Sequence, residues 1–146
     1  MAENINPVRA TGRCLCGSVR YSVRGPLRST VTACHCSSCR RFTGGLWTGT
    51  MARVEDVHFD NRDTLKWYRS SAQAERGFCG QCGSGLFWHE LGAPYYSIAA
   101  GSVDEPTGLK LACHGWTAEA ADYWDFSPDV PQRSGPSGLG LPEDSP

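Results

Sequence analysis

Cysteine spacing is the feature of this chain that most restricts how it can fold. Seven of its eight cysteines fall into three short clusters. The clusters occupy residues 14–17, 34–39 and 79–83, with the sequences CLCG, CHCSSC and CGQCG. Two cysteines this close in sequence can bind one ion if the backbone turns between them, and the glycines that follow three of these cysteines allow such turns. Because zinc prefers four tetrahedral ligands and accepts soft thiolates, the clusters predict metal ligands rather than buried apolar side chains.

The first and third clusters are expected to share one ion. The pair Cys14 and Cys16 would come together with the pair Cys79 and Cys82 to make a closed site of four thiolates. A site of this kind joins distant parts of the chain and contributes directly to the free energy of folding. The pattern therefore predicts a structural zinc.

The middle cluster predicts a different kind of site. Cys34, Cys36 and Cys39 provide three thiols, and no fourth ligand is evident nearby in sequence. Three protein ligands with one exchangeable position are typical of a catalytic zinc. Three thiolates on Zn²⁺ leave one net negative charge, so the ion would acidify water poorly and would favour an incoming thiol, held as a nucleophilic thiolate. The charge balance thus favours thiol chemistry over hydrolysis.

Two alternatives for the middle cluster stay open at this point. Cys113 could supply a fourth thiolate and close the site, or the three thiols could be a metal-free, redox-sensitive group. His35 lies between Cys34 and Cys36, and in an extended strand its side chain would point to the opposite face. We therefore expect His35 to pack behind the ligands and not to join them.

The rest of the sequence predicts an all-β domain. Short segments rich in Val, Tyr, Phe, Trp and Thr alternate with glycine, and no long helical period is present. The expected strands are 20–23, 30–33, 46–51, 57–59, 64–68, 77–78, 85–88 and 95–99. One-turn helices are expected near 37–42 and 117–121.

The domain organisation follows from composition. Residues 127–146 contain twelve Pro, Gly or Ser residues and are expected to be a disordered tail, because they cannot bury enough apolar surface to offset the entropy of ordering. Residues 1–11 are expected to be a flexible lead, and 12–126 the single folded domain.

Charge and hydropathy exclude several classes of function. The net charge of -1 argues against a nucleic-acid binder, which needs a clustered basic surface. No run of apolar residues approaches the roughly 18 that a membrane span requires, and the first seven residues do not resemble a secretory signal. We expect a cytoplasmic protein, and in that reducing compartment the cysteines are expected to be metal ligands or reactive thiols rather than disulfides.

Three motifs also carry a family resemblance. They read GRCLCGSVRY at 12–21, CHCSSCRR at 34–41 and RGFCGQCGS at 76–84, with weaker similarity at 100–106 and around His114 and Trp124. In this order they resemble the glutathione-dependent formaldehyde-activating enzyme (GFA) family, whose domain is shared with centromere protein V. The resemblance spans about residues 12–124.

The resemblance implies a β-tent fold of the Mss4-like type and two zinc ions per chain. It implies that the structural zinc is held by Cys14, Cys16, Cys79 and Cys82. It implies that the catalytic zinc is held by Cys34, Cys36 and Cys39. The implied activity is that of a carbon–sulfur lyase, in which glutathione, as co-substrate, combines with formaldehyde to give S-hydroxymethylglutathione.

Candidate binding residues follow from the chemistry of these partners. Glutathione carries two carboxylates, which Arg40, Arg41 or Arg76 could bind through charge-assisted hydrogen bonds. Three tryptophans are candidates for the walls of the pocket or for core packing: Trp47, Trp88 and Trp124. The expected partners are a small-molecule thiol and a carbonyl compound. The alternative is a carrier that binds glutathione or zinc without catalysis.

Overall fold

The computed structural model describes residues 6–140, and β-strands dominate it. The strands are β1 Ala10–Arg13, β2 Arg20–Val23, β3 Thr30–Cys34, β4 Trp47–Arg53, β5 Val57–Asn61, β6 Leu65–Arg69, β7 Ala74–Cys79, β8 Gly85–Glu90, β9 Tyr95–Ala99 and β10 Lys110–Gly115. The helix α1 spans Ser37–Thr43, and short 3-10 turns occupy Val54–Asp56, Ala100–Ser102 and Thr117–Glu119. This content confirms the prediction of an all-β fold with only short helices, the class expected of β-tent domains. In the described part of the chain, no helix is long and apolar enough to cross a membrane.

Two sheets organise the strands. The smaller sheet has the order β1-β2-β5, and the larger has the order β10-β3-β4-β9-β8-β7-β6. Neighbouring strands are antiparallel except β10 and β3, whose parallel register sets His114 beside Ala33 and Gly115 beside Cys34. The middle cysteine cluster therefore begins where β3 ends, next to the last residues of β10.

The core is built from buried side chains of both sheets. Tyr21 of β2 and Phe87 of β8 are fully buried, with ring centroids 5.3 Å apart in an edge-to-face arrangement. Trp67 stacks on Phe87 at 6.0 Å. Cys14 and Cys79 belong to the same buried cluster, so the four-cysteine region continues the core rather than standing outside it.

The substitution Phe87→Ala tests this description of the core. Loss of a fully buried ring that contacts several aromatic neighbours is expected to lower the free energy of unfolding by about 3–5 kcal/mol. Denaturation with urea at a fixed free zinc concentration measures the change. Tyr68→Ala is the matched control, because Tyr68 is 62% exposed and its loss is expected to cost less than about 0.5 kcal/mol. Equal losses in the two variants would contradict this core.

Strand composition explains where the sequence and the structure differ. Prediction missed β1, which begins at Ala10 inside the expected flexible lead, and β10, which contains no β-branched residue. The predicted strand 77–78 is shorter than β7, because the charged residues Glu75 and Arg76 are not typical of a buried strand. Hydrogen bonds to β2, β3, β6 and β8 hold these strands regardless of their local propensity.

Part of the expected disordered tail is hydrogen-bonded to β10. His114 N donates to Pro131 O at 2.9 Å, and Arg133 N donates to His114 O at 2.8 Å. β10 is an edge strand, and its outer backbone groups form hydrogen bonds with residues 131–133. The apolar content of a segment, on which the prediction was based, does not indicate pairing of this kind. Residues 1–5 of the lead and 141–146 of the tail lie outside the described residues, and the division at residues 12 and 126 stays a prediction.

Candidate metal centres

Four cysteines from two distant loops meet at one end of the core. Cys14 and Cys16 follow β1, while Cys79 ends β7 and Cys82 lies in the next turn. The four sulfur atoms all lie within 4.8 Å of one another, with Cys14 and Cys16 at 3.6 Å and Cys16 and Cys79 at 3.9 Å. Tetrahedral zinc with bonds of about 2.3 Å sets its sulfur ligands about 3.8 Å apart, so this group fits the ion.

Tight turns bring backbone N–H groups to these sulfurs. Gly17 and Gly83 have φ values of 80° and 82°, a conformation that glycine adopts without strain. Val19 N donates to Cys14 Sγ at 3.3 Å, and Gln81 N and Cys82 N each donate to Cys79 Sγ at 3.4 Å. Hydrogen bonds of this kind stabilise the thiolate, the form that binds a metal ion.

Hydroxyl groups complete the surroundings of the four sulfurs. Ser18 Oγ lies 3.0 Å from Cys16 Sγ and 3.4 Å from Cys79 Sγ, and Thr64 Oγ1 lies 3.3 Å from Cys79 Sγ. Burial raises the pKa of the Cys79 thiol, but hydrogen bonds from Ser18, Thr64 and two backbone N–H groups outweigh burial and lower that pKa to about 5. Cys79 is therefore prepared for metal binding at neutral pH.

Sequence reasoning missed these hydroxyls, although a signal was present. A Cys-Gly-Ser triplet occurs twice, at 16–18 and at 82–84. In the second, Ser84 Oγ lies 3.2 Å from Cys82 Sγ and accepts a hydrogen bond from Leu15 N at 3.0 Å. Ser84 thereby connects the two ligand loops directly.

The three cysteines of the middle cluster form a second sulfur group. Cys34 is the last residue of β3, Cys36 caps the N-terminus of α1, and Cys39 lies in its first turn. Their sulfur atoms also lie within 4.8 Å of one another. Cys39 N donates to Cys36 Sγ at 3.3 Å, so the start of the helix fixes two of the three ligands relative to each other.

Charge is unequally shared among these three thiols. Hydrogen bonds from Cys34 and then Cys39 lower the pKa of Cys36 to about 2, against burial, with further help from Cys39 N and the charge of Arg76. The hydrogen bond to Cys36, followed by that to Cys39 and by burial, raises the pKa of Cys34. Cys36 therefore favours the thiolate form more than Cys34 does, and a metal ion bound by all three sulfurs would displace the remaining thiol protons.

The structure places the three candidate arginines differently. Arg76 on β7 is only 4% exposed, and its Nη1 and Nη2 lie 3.7 Å and 3.6 Å from Cys39 Sγ. Arg41 is exposed on α1, while Arg40 is half-buried and its Nε has no hydrogen-bond partner among the described residues. Of the three, only Arg76 lines the cavity that opens beside Cys36.

A cavity of about 690 Å³ opens beside Cys36. Its walls include Trp88, one of the three candidate tryptophans, and Trp116. Trp116 was not predicted, and nothing in the sequence indicated its left-handed backbone conformation, with a φ of 54°. Hydroxyl, amide and carboxylate side chains supply much of the lining: Ser37, Ser38, Ser70, Ser71, Gln73, Glu90 and Glu119. The cavity has room for a small polar molecule and is lined in part by Cys36.

The other two tryptophans have different positions. Trp47 is buried, donates from its indole nitrogen to Ser97 Oγ at 2.9 Å, and borders a separate cavity of about 540 Å³. Trp124 packs edge-on against His35, with ring centroids 5.1 Å apart. Neither lines the cavity beside Cys36.

His35 and Cys113 lie outside both sulfur groups. The His35 ring is buried, and its Nε2 is 2.8 Å from Nδ1 of His114. This placement agrees with the expectation that His35 packs behind the ligands. Cys113 is 2% exposed, its Sγ contacts His114 O at 3.4 Å, and it is not part of the three-sulfur group, which therefore contains no fourth thiol among the described residues.

The fold and the two sulfur groups define an all-β protein with two sites that could hold metal ions. Residues 9–119 match the sequence pattern of the glutathione-dependent formaldehyde-activating enzyme family, and this chain belongs to that family. No curated protein matches the chain. A crystal structure of a Rhodobacter sphaeroides protein is similar, with a TM-score of 0.54 and 23% identity over 70% of this chain and 99% of that one. At this identity the similarity shows the fold.

Proposed function

We propose that this protein is a zinc-dependent carbon–sulfur lyase of the S-hydroxymethylglutathione synthase type, which joins glutathione to a small aldehyde such as formaldehyde. The observation that carries the proposal is the three-sulfur group with Cys36 facing a cavity of about 690 Å³. A site meant only to stabilise the fold would be closed by a fourth ligand, as the group around Cys79 is.

The protein residues have separate tasks in this proposal. The zinc would be held by Cys34, Cys36 and Cys39, and when bound it supplies an exchangeable position at which a thiol is favoured as its thiolate. The cavity admits the thiol from solvent, and Trp88 and Trp116 narrow the space around the reacting atoms. The second zinc would be held by the four-sulfur group and would stabilise the fold.

The proposed reaction balances without any oxidant or reductant. The glutathione sulfur adds to the carbonyl carbon of the aldehyde and forms the C–S bond. The π electrons of the carbonyl move to its oxygen, which takes up a proton in place of the one that the thiol lost. The chain contributes proximity and a stable thiolate, since the sulfur is held where the aldehyde enters.

We assign the carboxylates of glutathione to Arg40 and Arg41, which lie on α1 outside the lining of the cavity beside Cys36. They follow Cys39 directly on α1, and Arg41 is exposed to solvent. Charge-assisted hydrogen bonds from guanidinium groups are strong and suit carboxylate geometry. Arg76, the third candidate, has both terminal nitrogens on the sulfur of Cys39 instead.

A cytoplasmic location suits this chemistry. No two of the eight cysteines form a disulfide in the structure, and the cytoplasm keeps thiols reduced and supplies glutathione. The partners proposed for the protein are this thiol and a small carbonyl compound.

A rate comparison tests the proposal against the carrier alternative. Thiols add to formaldehyde unaided, so stopped-flow measurements with and without the zinc-loaded protein must show acceleration above that background. We expect acceleration that saturates with glutathione. Binding of glutathione without acceleration would favour a carrier, and failure to bind glutathione at all would contradict both functions.

Titration calorimetry identifies the atom by which glutathione is held. We expect glutathione to bind and S-methylglutathione, which cannot become a thiolate, to bind at least about tenfold more weakly because it loses a charged ligand interaction. Equal affinity for the two compounds would show that the sulfur is not the anchor.

A further inference from the structure

Arg76 is a buried cation whose terminal nitrogens face a sulfur atom. The residue is 4% exposed, and Nη1 and Nη2 lie 3.7 Å and 3.6 Å from Cys39 Sγ. A buried charge is costly unless it is paired and hydrogen-bonded. Both nitrogens contact Cys39, which is a member of the three-sulfur group. The charge of Arg76 therefore acts directly on that group.

The packing around Arg76 holds its guanidinium in this position. The guanidinium carbon lies 5.2 Å from the centre of the Phe42 ring, within the range of a cation–π contact. Phe42 in turn packs on the backbone of Gly85, where an added Cβ would come within 2.8 Å of the ring. The guanidinium is therefore held against two residues of α1, the ring of Phe42 and the sulfur of Cys39.

The net charge of the metal-loaded site indicates what a cation at this position would do. Three thiolates around a divalent ion carry one net negative charge, and a fourth thiolate from a substrate would raise it to two. In partly buried surroundings the repulsion between such charges is weakly screened. A guanidinium in contact with one of the sulfurs offsets one of these charges through charge-assisted hydrogen bonds.

We propose that Arg76 is a positioning residue that allows the three-sulfur site to accept an anionic sulfur as its fourth ligand. It touches neither thiol nor aldehyde in this account and acts through Cys39. The inference rests on the proposed function, because it concerns the binding of the substrate thiol at the same site. It gives Arg76 a role different from direct contact with a glutathione carboxylate.

Binding of glutathione to the cobalt-loaded protein tests this inference. Sulfur-to-cobalt charge-transfer absorption reports each added thiolate ligand and does not depend on turnover. We expect Arg76→Met to weaken glutathione binding about ten- to hundredfold, the range for loss of a hydrogen bond from a charged group. Arg76→Lys keeps the charge but loses the two-nitrogen contact with Cys39, so it is expected to weaken binding less than Arg76→Met does.

Arg62→Met is the matched control. Arg62 also lies over a phenylalanine ring, at 5.7 Å from the centre of Phe59, but contacts no sulfur within residues 6–140. Its loss is expected to leave glutathione affinity unchanged. If Arg76→Met does not fold, Arg76→Gln, which retains a donor but no charge, provides the same comparison with Arg76→Lys.

The outcomes separate the role of the Arg76 charge from the proposed function of the site. Unchanged affinity in Arg76→Met, or equal losses in Arg76→Met and Arg76→Lys, would overturn the role of the charge. If the unchanged protein adds no thiolate ligand at all, the proposed function itself fails. Weaker binding in Arg76→Met with rescue by Arg76→Lys supports both.

Discussion

Replacement of Cys79 by serine is expected to leave the protein unfolded at room temperature. Cys79 is completely buried, belongs to the core cluster, and its sulfur receives hydrogen bonds from two backbone N–H groups. Structural zinc contributes about 10–16 kcal/mol to the folding of small zinc peptides, which is comparable to the total stability of about 5–15 kcal/mol typical of a protein. A serine hydroxyl is a poor zinc ligand, so most of that contribution would be lost.

Circular dichroism during heating measures this effect, with the zinc content of each sample determined in parallel. Cys113→Ala is the control, because Cys113 is equally buried but belongs to neither sulfur group. It is expected to lose only about 1 kcal/mol, as typical substitutions do. If the Cys79→Ser protein had the same melting temperature as the unchanged protein, the four-sulfur group would not stabilise the fold.

Replacement of Cys36 by serine is expected to abolish thiol binding and rate acceleration while the fold is retained. The change leaves two sulfurs in the group, too few to hold zinc firmly with an open position. Serine is nevertheless a good N-cap residue, so its hydroxyl can accept the hydrogen bond from Cys39 N that Cys36 Sγ now accepts. Helix α1 should therefore stay in place.

Stopped-flow kinetics and a thermal melt together check this expectation. The rate with Cys36→Ser should fall to the uncatalysed background, and its melting temperature should stay within about 5 °C of the unchanged protein, the shift for roughly 1 kcal/mol in a domain of this size. Cys113→Ala should keep its activity. Undiminished turnover in Cys36→Ser would rule out the proposed mechanism.

The sequence predicted the strands that carry their own pattern. Alternation in 20–23 and the β-branched and aromatic residues of 95–99 identified β2 and β9, because side chains on successive strand residues face opposite sides. β10 was not predicted, because residues such as Lys110 and His114 have no preference for strands. Its place is determined by pairing with β3, a tertiary interaction that local composition does not encode.

The site was predicted to a similar extent. Spacing indicated every member of both sulfur groups, since ligands of one ion must lie close together and short Cys-x-Cys and Cys-x-x-Cys turns achieve this. Spacing could not show that Arg76, 37 positions from Cys39, would face its sulfur. Nor could it place Trp116 in the wall of the cavity, because the cavity forms between segments far apart in the chain.

X-ray absorption at the zinc edge tests whether the three-sulfur site keeps one ligand position open. A fully loaded protein should contain two zinc ions, one of which mild chelation removes, and an average of about three and a half sulfurs per zinc. Addition of glutathione should raise that average to about four, whereas S-methylglutathione should not. An average of four sulfurs before any thiol is added, or a single zinc in the loaded protein, would contradict the account.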